Sequence, residues 1–339
     1  MHMSDALLNP VVGGAFWAVS GGLIAYSAKK IREDEDTFKT PLMAVTGAFI
    51  FAAQMINFTI PGTGSSGHIG GGLLLAALLG PYRAFLTLAS VLTIQCLFFA
   101  DGGLLALGCN IFNLAFFPAF IAYPLIFKPI AGNMENKGRL ALASFIAADI
   151  GLLMGASSVI LETVLSGITE LPFKTFVLFM LPIHFCIGLV EGLVVFSVLS
   201  FVRKAQPSLL SGATGQNMGR NIIVPFIILA LVVGGMVSWF ASSHPDGLEW
   251  SMAKVTGKEE LEGRTNVITS RLEAIQGKLA FLPDYSFRAT ATGTETDKNS
   301  SVVSAGTSVS GIAGSVMVLA LAGCMGYIIR RRTKTHGHA

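Results

Sequence analysis

Long runs of apolar residues constrain this chain more than any other feature of its sequence. A membrane span needs about 20 predominantly apolar residues, and stretches such as 11–28, 103–127 and 175–202 have that length and character. Hydrophobic residues make up 52% of the chain and charged residues only 13%, whereas a soluble domain carries about 25% charged residues. The sequence therefore predicts an all-α integral membrane protein.

The apolar runs predict a bundle of about seven membrane segments, one of them short or broken, followed by two C-terminal spans. The expected segments are 11–28, 41–60, 72–80, 84–100, 103–127, 140–162, 175–202, 222–240 and 311–329. The piece 72–80 is too short to cross a bilayer and is interrupted at Pro81-Tyr82-Arg83, so the Gly/Ser-rich loop 61–71 before it should dip inward. Non-helical backbone at that depth must be buried in protein or line a cavity, which makes the loop around His68 a candidate site.

Basic residues in the short loops predict the orientation, because such residues collect on the cytoplasmic side. We expect the N-terminus outside and the C-terminus in the cytoplasm. The basic clusters then all face the cytoplasm: Lys29, Lys30 and Arg32; Lys128, Lys137 and Arg139; Arg203, Lys204 and Arg220; and Arg330, Arg331, Arg332 and Lys334. The net charge of +3 is too small to indicate a nucleic-acid partner.

The chain divides into two units at a polar stretch. Residues 1–206 are expected to form a membrane bundle, 207–221 a cytoplasmic linker, and 222–339 a second unit of two spans. The spans of the second unit enclose a polar external segment, 241–310, whose tail from residue 289 is rich in Thr, Ser and Gly and is typical of a flexible linker.

The sequence lacks the motifs of several enzyme classes. No GxxxxGK[ST] or HExxH motif occurs, so we expect no nucleotide bound by this chain, no ATPase activity of its own and no zincin chemistry. The four cysteines, Cys96, Cys109, Cys186 and Cys324, lie inside apolar runs. Small buried hydrophobic residues are the better interpretation of them than metal ligands or disulfides. Active transport by this chain would need energy from another subunit.

The N-terminus offers an unusual set of metal-binding nitrogens. Methionine before a bulky residue such as His2 is normally retained, so Met1 should carry a free amine. That amine, the deprotonated amide nitrogen of His2 and its imidazole can close two chelate rings around one cation. Three in-plane nitrogens suit Ni(II) or Cu(II), and His68 could supply the fourth. The alternatives are an exposed terminal His2 without a role and a loop His68 bonded to backbone.

Several other polar residues lie in or beside the expected spans. Gln54 and Asn57, and likewise Asn110 and Asn113, are three residues apart, so each pair should share a helix face and either orient a ligand or tie helices together. Asp101 is expected to cap the next helix. His184 and Glu191 lie two turns apart and could relay protons or cations or simply pack in the bundle. His336 and His338 lie in a C-terminal tail that favours disorder over metal binding.

Several motifs together resemble one family. They are Met1-His-Met-Ser-Asp-Ala-Leu7, Phe51-Ala-Ala-Gln-Met-Ile-Asn-Phe58, Ser66-Gly-His-Ile-Gly-Gly-Gly72, Ala100-Asp-Gly-Gly-Leu-Leu-Ala-Leu-Gly108 with Asn110, and His184-Phe-Cys-Ile-Gly-Leu-Val-Glu-Gly192. The first unit resembles the substrate-capture subunit (CbiM/NikM type) of energy-coupling factor (ECF) transporters for nickel and cobalt. Pro245-Asp-Gly-Leu-Glu-Trp250 and Leu282-Pro-Asp-Tyr-Ser286 make the second unit resemble the small PDGLE component (NikN-like) of the same transporters.

This resemblance implies a substrate-binding subunit of an ABC importer for Ni2+, which it favours, or Co2+. Met1, His2 and His68 would bind the metal, and Gln54, Asn57, Ser66, Asp101 and Asn110 would form a supporting shell. The family also implies a transmembrane coupling subunit and two ATP-binding subunits as partners. Rival functions are a metal sensor, or a redox anchor with metal or haem held by His68 and His184. The rival anchor is disfavoured because we expect His184 in a span that heads away from the external side where His68 lies.

Overall fold

Helices form nearly all of the regular structure. The computed structural model describes residues 2–34, 39–210, 220–261, 267–287 and 305–334. The long helices are α1 (Pro10–Glu33), α2 (Lys39–Gln54), α3 (Gly72–Leu79), α4 (Pro81–Phe99), α5 (Leu107–Ala131), α6 (Lys137–Leu165), α7 (Phe173–Ala205), α8 (Arg220–Gly235), α9 (Gly247–Thr256), α10 (Val267–Leu279) and α11 (Ala305–Lys334). Short turns of helix cover Asp5–Leu7, Pro207–Leu210, Val237–Phe240 and Pro283–Tyr285.

Six of the described helices are long and apolar enough to cross a membrane, namely α1, α4, α5, α6, α7 and α11. The expected span 41–60 is wrong at its end, because α2 stops at Gln54. Asn57 therefore lies beyond the helix, and the predicted helix face shared by Gln54 and Asn57 does not form. Most residues of α2 are buried because α8 and α11 of the C-terminal unit pack directly against it.

The helix starts follow local chemistry. Asn9 caps α1 by accepting a hydrogen bond from the backbone N–H of Val12, and Pro10 occupies the first helical position, where a missing N–H costs nothing. The interruption between α3 and α4 lies at Gly80, whose φ of 83° suits glycine. Pro81-Tyr82-Arg83 was expected to form that break, but these residues instead begin α4. The eight residues of α3 are all buried, as a helix too short to span requires.

The span expected at 103–127 begins at Leu107 and continues to Ala131. Its middle, Phe112–Phe127, is wound as a π-helix that contains Pro118 and Pro124. Proline removes a backbone donor and crowds the preceding turn, so a wider winding accommodates both prolines without ending the span. The π-helical winding of this span is therefore attributed to the two prolines inside one apolar run.

The loop before α3 contains the only strands in the described residues. β1 (Phe58–Ile60) pairs antiparallel with β2 (Ser65–Gly67), with Phe58 opposite Gly67. The fold is mostly helical, and the strands occupy the end of the expected span 41–60 and the Gly/Ser-rich loop 61–71. The hairpin satisfies backbone groups that a loop inside the bundle would leave unpaired, and it carries His68 on the residue after β2.

The C-terminal unit packs along the N-terminal bundle. In addition to the contacts on α2, α9 packs on α7 and α10 packs on the C-terminal end of α4. The expected linker at 289–310 is too long, because Ala305 to Ser310 already belong to α11. Residues 289–304, residues 211–219 of the expected linker, His336 and His338 lie outside the described residues.

The closest contact between α1 and α5 depends on Gly108. A methyl group added there would come within 2.5 Å of the backbone nitrogen of Trp17. Gly108→Ala should destabilise the protein by about 1–3 kcal/mol, as overpacking does. The matched control is Gly22→Ala on the open face of α1, which meets nothing within 4 Å. Thermal unfolding midpoints of the purified variants would check this, and equal midpoints for the two variants would contradict it.

Candidate metal centre

The N-terminal segment enters the bundle and is held there by Asn110. The backbone N–H of Met3 donates to Asn110 Oδ1 at 2.8 Å, and Asn110 Nδ2 donates to the Met3 carbonyl at 3.2 Å. The backbone N–H of Gly103 donates to the same carbonyl at 2.9 Å. Met3 itself is fully buried. Both polar groups of this residue are therefore satisfied inside the protein.

Asp5 forms a second anchor that the sequence did not reveal. Its Oδ1 accepts a hydrogen bond of 2.9 Å from the backbone N–H of Ala106. A methyl group at Gly103 would lie only 1.9 Å from the same oxygen, so only glycine permits this approach. Burial raises the pKa of Asp5, although the hydrogen bond from Ala106 opposes the shift. The two anchors fix the direction in which His2 emerges.

His2 and His68 meet, as the metal-site hypothesis requires. Their rings stack with centroids 5.1 Å apart and planes within 9°. His2 Nδ1 lies 3.1 Å from Asp101 Oδ1, and the side chain is only 7% exposed. His2 Nε2 has no hydrogen-bond partner within the described part of the chain. Met1 lies outside the described residues.

Asp101 positions His2 instead of capping a helix, so that expectation is wrong. The carboxylate also accepts a hydrogen bond of 2.5 Å from the hydroxyl of Tyr285 in the C-terminal unit. Burial alone would raise the pKa of Asp101, but His2 and the Tyr285 hydroxyl outweigh it and hold that pKa well below its usual range. The residue is an anion that holds Nδ1 of His2 on its side of the ring in this conformation.

His68 leaves one ring nitrogen without a hydrogen. Its Nδ1 lies 3.1 Å from the carbonyl oxygen of Ile69. Because a carbonyl can only accept, Nδ1 carries the hydrogen and Nε2 keeps its lone pair. Burial, with a smaller contribution from His2, lowers the pKa of His68 to about 3. A neutral imidazole whose second nitrogen donates to backbone is the usual form of a metal-binding histidine.

The loop after His68 is fixed by Glu191 and Gln54. Glu191 accepts hydrogen bonds from the backbone N–H groups of Gly70 and Gly71, both at 3.0 Å. Gln54 donates to the carbonyl of Gly70 at 2.9 Å. Glu191 and Gln54 thus both position the loop in this structure, and the supporting-shell role of Gln54 stays a prediction.

Ser66 and Asn57 connect the hairpin to the C-terminal unit. Ser66 Oγ donates to the carbonyl of His244 at 2.7 Å, and the carbonyl of Asn57 accepts from the backbone N–H of Ser242 at 2.7 Å. Neither side chain reaches His2 or His68 by a hydrogen bond among the described residues. They act on the site only indirectly, by fixing the position of the hairpin that carries His68.

An outer cavity of about 500 Å³ lies over His2 and His68. Seven of its described lining residues are acidic, and none is lysine or arginine: Asp5, Asp101, Asp246, Glu249, Glu260, Glu273 and Asp284. Five of the seven come from the C-terminal unit. Burial and the neighbouring Asp246 raise the pKa of Glu249 to about 7, so this carboxyl is partly protonated at neutral pH. The remaining charge still makes the cavity attractive to cations.

The C-terminal unit also holds the turn that carries Asp101. Gln276 donates to the carbonyls of Cys96 and Gly102 at 2.9 and 2.7 Å. Tyr285 stacks on Phe99 with ring centroids 5.0 Å apart. Gln276, Tyr285 and Asp5 were missed as site residues, because each acts on a partner far away in the sequence. No local signal in the chain marks such pairs.

In this conformation, no three His, Cys, Asp or Glu side chains of the described residues are placed to hold a metal ion. His2 and His68 nevertheless face the same cavity under a negative potential. A tight cation site here needs ligands other than these side chains, such as backbone nitrogens.

Comparison with known families decides the class of the protein. Residues 2–209 match the family described as the cobalt uptake substrate-specific transmembrane region, CbiM. The chain belongs to the CbiM family. Residues 220–331 match the PDGLE domain, so the chain carries both components. As a CbiM-family member it is a multi-pass membrane protein of the metal-transport class, in a prokaryote.

Individual relatives agree with this assignment. A chain from Archaeoglobus fulgidus, whose name places it with the fused nickel transport proteins NikMN, is 34% identical over 99% of this chain and 100% of its own length. The cobalt transport protein CbiM of Sorangium cellulosum is 28% identical over 62% of this chain and 94% of its own. A crystal structure of a transition metal transporter is 29% identical with a TM-score of 0.55, and covers 65% of this chain and 100% of that one.

The Asn110 anchor can be tested directly. Asn110→Leu removes the two hydrogen bonds that join the Asn110 side chain to the backbone of Met3. Leaving a buried backbone group unpaired costs about 1–3 kcal/mol. Backbone hydrogen exchange around Met3 should therefore rise at least tenfold, as measured by exchange mass spectrometry. Asn113→Leu, one turn further along α5, is the control: it removes a contact of 3.7 Å from Asn113 Nδ2 to Met3 Sδ but no hydrogen bond of the Met3 backbone, so the Met3 N–H should stay protected. Equal exchange in the two variants would contradict the anchoring role of Asn110.

Proposed function

We propose that this chain is the substrate-capture subunit of an ECF-type importer for Ni2+ or Co2+, with nickel favoured. The observation that carries the proposal is the stacking of His2 on His68 beneath an acidic cavity. The names of its relatives, which include fused nickel transport and cobalt transport proteins, support the same class of cation. Membership of the CbiM family supports transport over the rival sensor and redox functions.

The proposed ligands are the Met1 amine, the His2 amide nitrogen, the His2 imidazole and His68 Nε2. Only Nδ1 of His2 can close a six-membered ring with its own amide nitrogen, and Nδ1 is directed to Asp101 in this structure. Metal capture therefore requires the His2 ring to turn about its Cβ–Cγ bond and leave Asp101. The His68 ring needs no such change, because Nε2 already carries the lone pair.

This donor set determines which cations bind. Four nitrogens in one plane suit Ni(II) and Cu(II), whereas hard cations such as Mg2+ prefer oxygen ligands. The carboxylates of the outer cavity attract every cation, but they do not complete a site of their own in the described residues. Selection against Mg2+ and Ca2+ then falls on the nitrogens of the N-terminus and His68.

The transport step needs partners in this proposal. The chain has no P-loop motif, so the energy would come from two ATP-binding subunits through a transmembrane coupling subunit. With the N-terminus outside, the outer cavity faces the external medium and the clusters Arg203-Lys204 and Arg330–Arg332 face the cytoplasm. The C-terminal unit serves as a lid that positions Asp101 and supplies most of the acidic lining.

A blocked N-terminus tests the ligand set. Two residues added before Met1 move the free amine away from His2, so affinity for Ni2+ should fall at least about 100-fold, since each lost ligand or supporting contact costs about 10–100-fold. Calorimetry in buffers of different ionisation enthalpy should also show that the native chain releases about one proton or more per metal bound, which the extended chain does not.

His68→Ala should weaken Ni2+ binding strongly, whereas the exposed His244→Ala should not. Tight Ni2+ binding by the extended chain would contradict the proposed N-terminal chelate. A native chain that binds neither Ni2+ nor Co2+ would overturn the importer proposal itself.

The attraction of cations by the acidic cavity can be tested by measuring the rate of Ni2+ association. Glu260 lines the outer cavity and the adjacent Glu259 does not. Glu260→Gln should slow Ni2+ association about two- to fivefold at low salt, since a charged cleft concentrates cations, and high salt should abolish the difference. Dissociation should not change. Stopped-flow measurements on Glu259→Gln supply the control, and an equal slowing in both variants would contradict the role of the cavity.

A further inference from the structure

His184 carries a buried ligand nitrogen that the proposed capture site does not use. The residue lies on α7 and is 1% exposed. Its Nδ1 lies 2.7 Å from the carbonyl oxygen of Met180, one turn earlier in the helix. Because that carbonyl can only accept, Nδ1 carries the hydrogen and Nε2 keeps its lone pair. Nε2 has no partner within the described part of the chain.

An inner cavity joins His184 to the capture site. It is lined by His68, His184 and Asp246 together with small and apolar residues of the hairpin, α5, α6 and α7. His68 and Asp246 line both the inner and the outer cavity. The sequence had suggested that His68 and His184 lie apart, and this expectation is wrong. His68 thus stands between His2 on one side and His184 on the other.

The C-terminal unit closes over His184. Gly247, at the start of α9, lies so near that an added methyl group would be 3.0 Å from His184 Cε1 and 3.1 Å from Ile187. A side chain at 247 would press on the ring. The glycine lets α9 cover the inner cavity while leaving the imidazole in place.

A packing role alone explains His184 poorly. A buried acceptor without a partner destabilises the fold relative to an apolar side chain of similar shape. The carbonyl of Met180 is already in a helix and does not require an imidazole. The hydrogen bond to that carbonyl instead fixes the tautomer that leaves Nε2 available, which is how backbone groups prepare histidines for metal ions.

We propose that His184 Nε2 and His68 Nε2 form a second, inner metal site that receives the divalent cation from the capture site. The inference rests on the proposed function and deepens it. Two neutral imidazoles suit borderline cations such as Ni2+ and Co2+, and the cavity of about 10 Å³ has room for about one water beside them. A site with two protein ligands binds more weakly than a four-nitrogen chelate, so the cation can be handed on. No bond is formed or broken other than to the metal.

The test uses Co2+ and the full-length chain with two residues added before Met1. The extension displaces the terminal amine, and His2→Ala in the same chain removes the second imidazole of the capture site, so the visible absorption of Co2+ reports what remains. We expect residual binding, at least 100-fold weaker than in the native chain but saturable. X-ray absorption of this bound Co2+ should show two imidazole ligands. One imidazole or none would overturn the inner site without any change to His184.

Substitution then assigns the ligand. His184→Asn keeps an N–H that can donate to Met180 but removes the Nε2 acceptor, so in the extended chain it should weaken Co2+ binding at least tenfold. His244→Asn in the same background is the matched control and should have no effect. Unchanged binding in His184→Asn would refute the proposal, as would an equal loss in His244→Asn. A native chain without the tight site would instead refute the capture function, so the two failures are distinguishable.

Discussion

The peptide group of Met3 is held from both sides by the side chain of Asn110. A chain that is not helical can enter a membrane bundle only if its N–H and C=O groups find partners there, since each unpaired group costs several kcal/mol. Asn110 and Gly103 supply these partners to Met3. The backbone N–H of Ala106 donates to the side chain of Asp5. The remaining geometry of the metal centre follows from this anchor. Only a fixed Met3 places the ring of His2 against His68.

The second half of the centre is built by residues of the C-terminal unit. Gln276 and Tyr285 hold the turn around Asp101, and Asp101 in turn holds the ring of His2. The backbone at His244 and Pro245 bonds to Ser66 beside His68. Both histidines are therefore positioned through contacts that cross between the two units. The two units therefore share one candidate site, and their linkage in a single chain keeps the C-terminal unit at high effective concentration over the bundle.

Most of the bundle could be predicted because helices that cross a bilayer require long apolar runs, which are visible in the sequence. The runs that became α1, α4 to α7 and α11 are long and nearly free of charge, and chemistry alone singled out His2 and His68. Local pattern could not show that Asn57 lies beyond the end of α2, or that Asp101 pairs with Tyr285 across 184 positions. Such contacts are set by how helices pack, and neither residue has a neighbour in sequence that marks it. The π-helix of α5 was missed for a related reason, because two prolines within an apolar run can equally well end a helix or widen it.

In the proposed function, capture requires a site that attracts and holds the cation, and release requires one that lets it go. Different groups of the site serve these two requirements. Carboxylates of the outer cavity act over many ångströms and raise the local concentration of every cation, but they confer little choice among cations. Choice requires nitrogen ligands, which act only on contact. Asp101 links the two effects, because it binds the same Nδ1 of His2 that the chelate would use. In the proposed chelate, the Asp101–His2 hydrogen bond would compete with the metal and lower its affinity by the free energy of that bond. The same competition would favour release of a cation that four nitrogens otherwise hold tightly.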